Sequence, residues 1–233
     1  MQRLTADLIH NSRAFYNPLK ERQLDLRGYK LIVIENLGAT EDQFDTLDMS
    51  DNEIKKLDNF PRSKRLRTLL LTNNHITRID PRAGKNLATL QHLMLTNNRV
   101  ANLSEIDALV AFPSLATLSL VDNPVTQRPN YRAYAIHKLP QLKVLDFRKI
   151  KPRERAAAEQ LFASGAGQDM LTAVQAAQQE AQSVRALSAC VCASFVPLCA
   201  PCVRCCSCVA GRVRSMCGCA GATNQTSTRW CRR

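Results

Sequence analysis

Ten cysteines occur in the chain, all between Cys190 and Cys231. The run Cys199-x-x-Cys202-x-x-Cys205-Cys206-x-Cys208, followed by Cys217-x-Cys219, could supply four thiolates to zinc. Its spacing is dense and irregular, and no histidine follows His137. The four histidines, His10, His75, His92 and His137, stand in no metal-ligand spacing with one another or with an acid. Asp48 and Asp51 could be imagined as an acid pair, but the repeat that contains them accounts for both places. No nucleophile elbow, phosphate-binding glycine loop or HExxH motif is present, so nothing points to catalysis or to a cofactor. What remains is charge. The net charge is +12, of which +7 falls in residues 1–163 and +5 in residues 164–233. Such an excess suits an anionic partner such as RNA, DNA or acidic lipid, and it equally serves solubility. The cations cluster in three places: Arg148, Lys149, Lys151, Arg153 and Arg155; Arg62, Lys64, Arg65 and Arg67; and Arg27 with Lys30. Basic groups on a rigid edge neutralise phosphates without reading sequence; taken singly, each also fits a solvated surface.

The elements that must position these groups follow from an internal repeat. Phe44-Asp45-Thr46-Leu47-Asp48-Met49-Ser50-Asp51-Asn52-Glu53-Ile54-Lys55-Lys56-Leu57 fits LxxLxLxxNxLxxL. The pattern recurs at Leu66, Leu69, Leu71, Asn74, Ile76 and Ile79, and at Leu90, Leu93, Leu95, Asn98, Val100 and Leu103. It recurs again at Leu115, Leu118, Leu120, Asn123 and Val125. Degenerate copies flank these, through Leu24, Leu26, Tyr29, Leu31 and Ile34 and through Leu142, Leu145, Phe147 and Ile150. The marker residues Leu26, Met49, Leu71, Leu95, Leu120 and Phe147 are 22 to 27 residues apart, within the range of leucine-rich repeats. In LxL both leucines point inward from a short strand. The asparagine at the following turn can satisfy backbone groups of neighbouring coils. No coil buries its apolar face alone, so the coils must stack. The expected fold is α/β: a right-handed leucine-rich-repeat solenoid of five to six coils with a parallel concave sheet and helical caps.

The caps are read from amphipathic segments. Thr5 to Phe15 is expected to be one helix with Leu4, Leu8, Ile9 and Phe15 on one side. At the other end Arg132 to Leu139 reads as a short helix. A second helix from about Pro152 is expected to cover the last coil with Ala157, Leu161 and Phe162. The cysteine-free first part fits a reducing compartment. Its start, Met1-Gln2-Arg3-Leu4-Thr5-Ala6-Asp7, lacks the apolar run of a secretory signal, so an intracellular protein is expected.

Residues flanking LxL point onto the concave face. They are Gln23, Asp25 and Arg27; Thr46, Asp48 and Ser50; Thr68, Leu70 and Thr72; His92, Met94 and Thr96; and Thr117, Ser119 and Val121. The face is charged at its N-terminal end and apolar in the middle, where Leu70 and Met94 stand side by side. An exposed apolar pair beside carboxylates suits a helix with an apolar ridge and basic flanks; the alternative is two stray surface apolars. The predicted partner-binding residues are therefore Asp25, Arg27, Asp48, Ser50, Leu70, Thr72, His92, Met94, Thr96 and Ser119. The preferred phosphate contacts are Arg27, Lys30, Arg148, Lys149, Lys151 and Arg153, ahead of the Arg62 to Arg67 cluster on a linking segment.

Two stretches are not forced by the repeat: Leu24-Asp25-Leu26-Arg27-Gly28-Tyr29-Lys30 and Val33-Ile34-Glu35-Asn36-Leu37-Gly38-Ala39-Thr40. With Leu93-Met94-Leu95-Thr96-Asn97-Asn98, Asp122-Asn123-Pro124-Val125-Thr126, Tyr131-Arg132-Ala133-Tyr134 and Leu145-Asp146-Phe147, they make the span from Leu4 to Phe162 resemble the A′ family of the U2 small nuclear ribonucleoprotein. That resemblance implies a nuclear, non-enzymatic scaffold in pre-mRNA splicing. It implies a concave face that grips a helix of the B″ protein, an RNA-recognition-motif protein. The pair would then bind a stem-loop of U2 small nuclear RNA and meet other spliceosomal proteins, with no membrane involved. The rival is another intracellular repeat scaffold, of the axonemal, dynein-associated or phosphatase-regulatory kind. A membrane-tethered receptor is disfavoured by the missing signal and missing cysteine caps.

Three regions are expected: a capped repeat domain over 1–163, an Ala/Gln-rich helix or linker over 164–187, and a Cys-rich tail over 188–233. The middle region has Met170, Leu171, Val174, Ala177 and Val184 at roughly helical spacing, after Gly165 and Gly167. It departs from the Lys-rich polar segment the resemblance implies. For the tail an unstructured segment is the expectation, including the product of an unspliced or frame-shifted end. Zinc binding and a membrane anchor over Ala186 to Val203 are the alternatives; Pro197 and Pro201 make that stretch a poor span.

Overall fold

The computed structural model describes residues 3–163 and, beyond them, Thr172, Val174, Ala176 and Gln179. Along the chain run α1 (Ala6–Asn11), β1 (Arg13–Tyr16), β2 (Arg22–Asp25), β3 (Thr46–Asp48), β4 (Lys56–Leu57) and β5 (Thr68–Leu70). Then come β6 (Arg78–Ile79), α2 (Pro81–Asn86), β7 (His92–Met94), α3 (Ser104–Ala108), β8 (Thr117–Ser119), α4 (Tyr131–Lys138), β9 (Val144–Leu145), β10 (Arg148–Lys149) and α5 (Pro152–Ala163). Eight strands form one sheet in the order β1-β2-β3-β5-β7-β8-β9-β10, while β4 and β6 pair separately. The inner six strands are parallel. The repeat predicts a parallel sheet, which these strands form; at its two edges, however, β1 and β10 turn back antiparallel on β2 and β9.

The period of two along each strand explains the core. Leu69 and Leu71, Leu93 and Leu95, and Leu118 and Leu120 are completely buried, and each pair lies on the inner side of its coil. The interior leucines also fix the register, because a slip of one residue would turn them outward. The returns are tightly packed. A Cβ on Gly84 of α2 would lie 2.6 Å from the carbonyl carbon of Ala111, so only glycine fits there.

Buried turns need partners for their backbone groups, and the repeat asparagines supply them. Asn52, Asn74, Asn98 and Asn123 are buried. Their Oδ1 atoms accept the N–H groups of Leu31, Ile54, Ile76 and Val100 in the preceding coils, at 3.0 to 3.2 Å. Their Nδ2 groups donate to the carbonyls of Leu26, Met49, Leu71 and Leu95, at 2.7 to 3.0 Å. Each asparagine thus ties two coils together. A second, outer ladder uses residues in the left-handed region: Asn73 donates to Asp51 at 2.7 Å and Asn97 to Asn73 at 2.9 Å.

The caps differ in detail from the expectation. The first helix stops at Asn11, because Ser12 is extended and its hydroxyl folds back to the carbonyl of Leu8. Phe15 therefore lies on β1 rather than on the helix; Leu4 and Ile9 are buried there, and Leu8 packs half-buried against the core. In the last coil Phe147 is not a core residue. It is 66% exposed, because the chain reverses between β9 and β10 at this point. In α5 the covering residues are Ala158 and Phe162, with Leu161 half-buried, whereas Ala157 faces out. Phe162 stacks on His137 at 4.7 Å and meets Tyr134 edge-on at 6.0 Å. Thr172, Val174, Ala176 and Gln179 are helical, and Val174 packs half-buried against the core. Met170, Leu171, Ala177, Val184 and the cysteines lie outside the described residues.

Candidate binding surfaces

The register places the outward side chains in rows across the sheet. One row runs Asp25, Asp48, Leu70, Met94 and Ser119, each opposite the next on adjacent strands. Leu70 and Met94 are therefore direct neighbours, one strand spacing apart. Both are half-buried, as are His92, Ser50, Thr72 and Thr96. Ser119, expected on the open face, is instead fully buried, and its hydroxyl lies 3.0 Å from that of Thr96. Thr46 is also buried, bonded to Glu21. Asp48 is buried too, so the open part of the row is the apolar pair and, beyond Asp48, the half-buried Asp25.

Those carboxylates are already compensated. Arg27 holds Asp25 through two bonds of 2.9 and 2.8 Å, and its Nε lies 3.6 Å from Asp48. The side-chain bond from Arg27 holds the Asp25 carboxyl below the usual range for an aspartate. Asp48 is 5% exposed, accepts from the Ser50 N–H at 3.1 Å and lies 3.4 Å from the amide of Gln23. The N-terminal end of the face is a closed polar network with one guanidinium at its centre.

The C-terminal cap is arranged differently. Arg132 and Arg155 are committed to the fold. Arg132 donates to Glu154 at 3.0 Å and to the Leu145 carbonyl at 3.2 Å. Arg155 donates to the carbonyls of Pro140 and Leu142. Arg148, Lys149, Lys151 and Arg153 are exposed, and none of their side chains makes an ion pair or hydrogen bond among the described residues. Lys30, at the other end of the sheet, is exposed as well.

Residues 1–175 match a leucine-rich-repeat family model. The U2 small nuclear ribonucleoprotein A′ of Arabidopsis thaliana is 62% identical over 70% of this chain and 66% of its own length. The protein of the same name from Homo sapiens is 52% identical over 70% of this chain and 64% of its own. A crystal structure of the Drosophila melanogaster SNF/U2A′ complex superposes with a TM-score of 0.72 at 51% identity, covering 74% of this chain and 99% of that chain. The chain belongs to the U2 small nuclear ribonucleoprotein A′ family. It spans just under two thirds of the length of these A′ relatives.

On this A′ scaffold the predicted residues fall into two groups. Asp25, Arg27, Asp48, Ser50, Leu70, Thr72, His92, Met94 and Thr96 share the sheet face. Arg148, Lys149, Lys151 and Arg153 share the far edge and the start of α5. Arg27, expected to contact phosphate, is hydrogen-bonded to Asp25 and lies 3.6 Å from Asp48. The signal was legible: the period of two puts Asp25 and Arg27 on one face. Phe147 was missed because its apolar type matched the repeat. The Asp146 before it stands in register with Ser119 on the sheet face, and its Oδ1 accepts the Leu120 N–H at 2.7 Å. Among the described residues no group of His, Cys, Asp or Glu could hold a metal ion, and no helix is long and apolar enough to cross a membrane.

Proposed function

We propose that this chain is a non-enzymatic scaffold of the U2 small nuclear ribonucleoprotein, acting in pre-mRNA splicing in the nucleus. Its sheet face grips a helix of a B″-type RNA-recognition-motif protein, and the pair then holds a stem-loop of U2 small nuclear RNA. The observation that carries this reading is the Leu70–Met94 pair, in register on adjacent strands and only half-buried, on a sheet face that also carries Asp25. An amphipathic helix laid across that row would bury both side chains and present a basic flank to Asp25, the half-buried acid at the end of the row. The similar Drosophila structure is a complex of SNF with U2A′, which supports a protein partner at such a scaffold. The open cations of the C-terminal cap support the RNA part of the proposal.

The test is titration of the full chain with a B″-type protein, with and without U2 stem-loop RNA, at stated salt. The expected result is tight binding to the protein, lost on Leu70→Asp or Met94→Asp, with RNA retained by the pair. Failure to bind that protein would leave the fold standing and remove the splicing assignment.

A further inference from the structure

The hairpin joining β9 to β10 carries an aromatic ring that the fold does not use. Leu145 pairs with Arg148, so Asp146 and Phe147 form a two-residue loop. Their φ angles are +52° and +60°. Both central residues of such a turn are left-handed, and the second place favours glycine. A phenylalanine there is an outlier that must be held by its surroundings. It is held by many bonds. Asp146 donates its N–H to Leu118 at 2.9 Å, and its carboxylate accepts from the Leu120 N–H and the Tyr131 hydroxyl. Arg132 bonds the Leu145 carbonyl, and Ile150 closes the hairpin on Lys143 at 2.9 Å.

The ring itself is 66% exposed and pairs with no other aromatic among the described residues. Its surroundings are cationic. Arg148 and Lys149 follow it directly, Lys151 and Arg153 lie just beyond, and all four are exposed and unpaired among the described residues. The nearby acids are engaged, Asp146 with Tyr131 and Glu154 with Arg132. An aromatic that docks a protein sits among apolar neighbours that exclude water. An aromatic among free cations is the arrangement that stacks a base while neutralising its phosphates. Side chains cannot read the deep groove of an RNA helix, so the base must be unpaired, in a loop, a bulge or a stem end.

We propose that Phe147 is a stacking platform for an unpaired RNA base, with Arg148 and Lys149 holding the flanking phosphates. This rests on the reading of the C-terminal cap as RNA-facing. The test compares two RNAs, a short hairpin with an unpaired loop and a blunt, fully paired duplex of the same length. Each is titrated against the full chain, alone and together with a B″-type protein. The wild type should prefer the hairpin. Phe147→Ala should weaken hairpin binding about tenfold, as loss of one stacked base does, and leave the duplex and the salt dependence unchanged. Phe147→Trp should keep the preference. Phe147→Gly should lose it while melting no lower than the wild type, because glycine suits the left-handed turn, so a folding defect cannot imitate the result. If Phe147→Ala binds both RNAs normally while Lys151→Glu with Arg153→Glu weakens both, stacking is overturned and the RNA-facing cap stands. If neither variant changes RNA binding, or no RNA binds, both readings fall. If Phe147→Ala instead weakens only the protein partner, the ring is a protein contact and the proposal is wrong.

Discussion

The sheet face and the C-terminal cap both carry cations, but they use them in opposite ways. On the sheet, Arg27 is bonded to Asp25 and lies close to Asp48, so the charges are satisfied before any partner arrives. At the cap, Arg148, Lys149, Lys151 and Arg153 face solvent with no described acid against them. A partner covering the sheet gains chiefly by burying Leu70 and Met94, a term that salt scarcely weakens. A polyanion at the cap gains by releasing counterions, a term that falls steeply with salt. Two surfaces of one small scaffold can thus bind by separable physics. Raising the salt should therefore weaken RNA binding by the pair far more than it weakens the protein pair itself.

The largest expected effect tests whether the two regions are separable at all. Phe162→Ala removes the ring that pins α5 on Tyr134 and His137, and should cost about 4 kcal/mol of stability. Hydrogen exchange should show the loss first in α4, α5 and the β9–β10 hairpin. Protection lost equally in β3, β5 and β7 would mean that the regions are one cooperative unit.

Next in size is Met94→Asp. A carboxylate at the centre of an apolar contact should lower partner affinity about a hundredfold, roughly 3 kcal/mol. The melting temperature should barely move, because the site is half-open in the free chain. An unchanged affinity would place the partner elsewhere and leave Leu70 and Met94 as stray surface apolars.

At the cap, Lys151→Glu with Arg153→Glu should lower the slope of log affinity against log salt by about 2 for RNA. Protein–protein affinity should be unchanged. A slope identical to the wild type would remove these residues from the RNA surface.

How much of this was legible in the sequence depends on what fixed each feature. The interior leucines and the asparagine ladder were legible because the repeat forces them: a coil without Leu93 or Asn98 leaves a void or an unpaired backbone group. The rows of the sheet face followed, since buried leucines set the register. The two antiparallel edges did not. Phe15 and Phe147 each sit at a spacing the helix or the repeat would accept, and only turn chemistry betrays them. For the first, Ser12 ends the helix and Asn17-Pro18 opens a tight turn, where Asn17 Oδ1 accepts from Leu19 and Glu21. For the second, the hint is Ile150 at the place of the ladder asparagine, which shows that the repeat breaks off in this coil. The burial of Ser119 had no local signal, because it depends on neighbours from other strands.

The smallest effect decides which side of the comparison Arg27 belongs to. Its bond holds the Asp25 carboxyl below the ordinary range. A carboxyl with a folded pKa below its unfolded value of about 3.9 adds stability above that pH and loses it as pH falls through the folded pKa. The pair is half-exposed, so its contribution is well under about 1 kcal/mol. In Arg27→Ala the Asp25 carboxyl, followed by NMR, should titrate higher, and stability should decline less steeply below about pH 4. RNA affinity and its salt slope should stay as in the wild type, because this guanidinium balances the acids of the sheet. A salt slope lowered by about 1 in Arg27→Ala would instead make it a phosphate contact. The N-terminal end of the sheet would then belong with the cap, as part of one extended RNA surface.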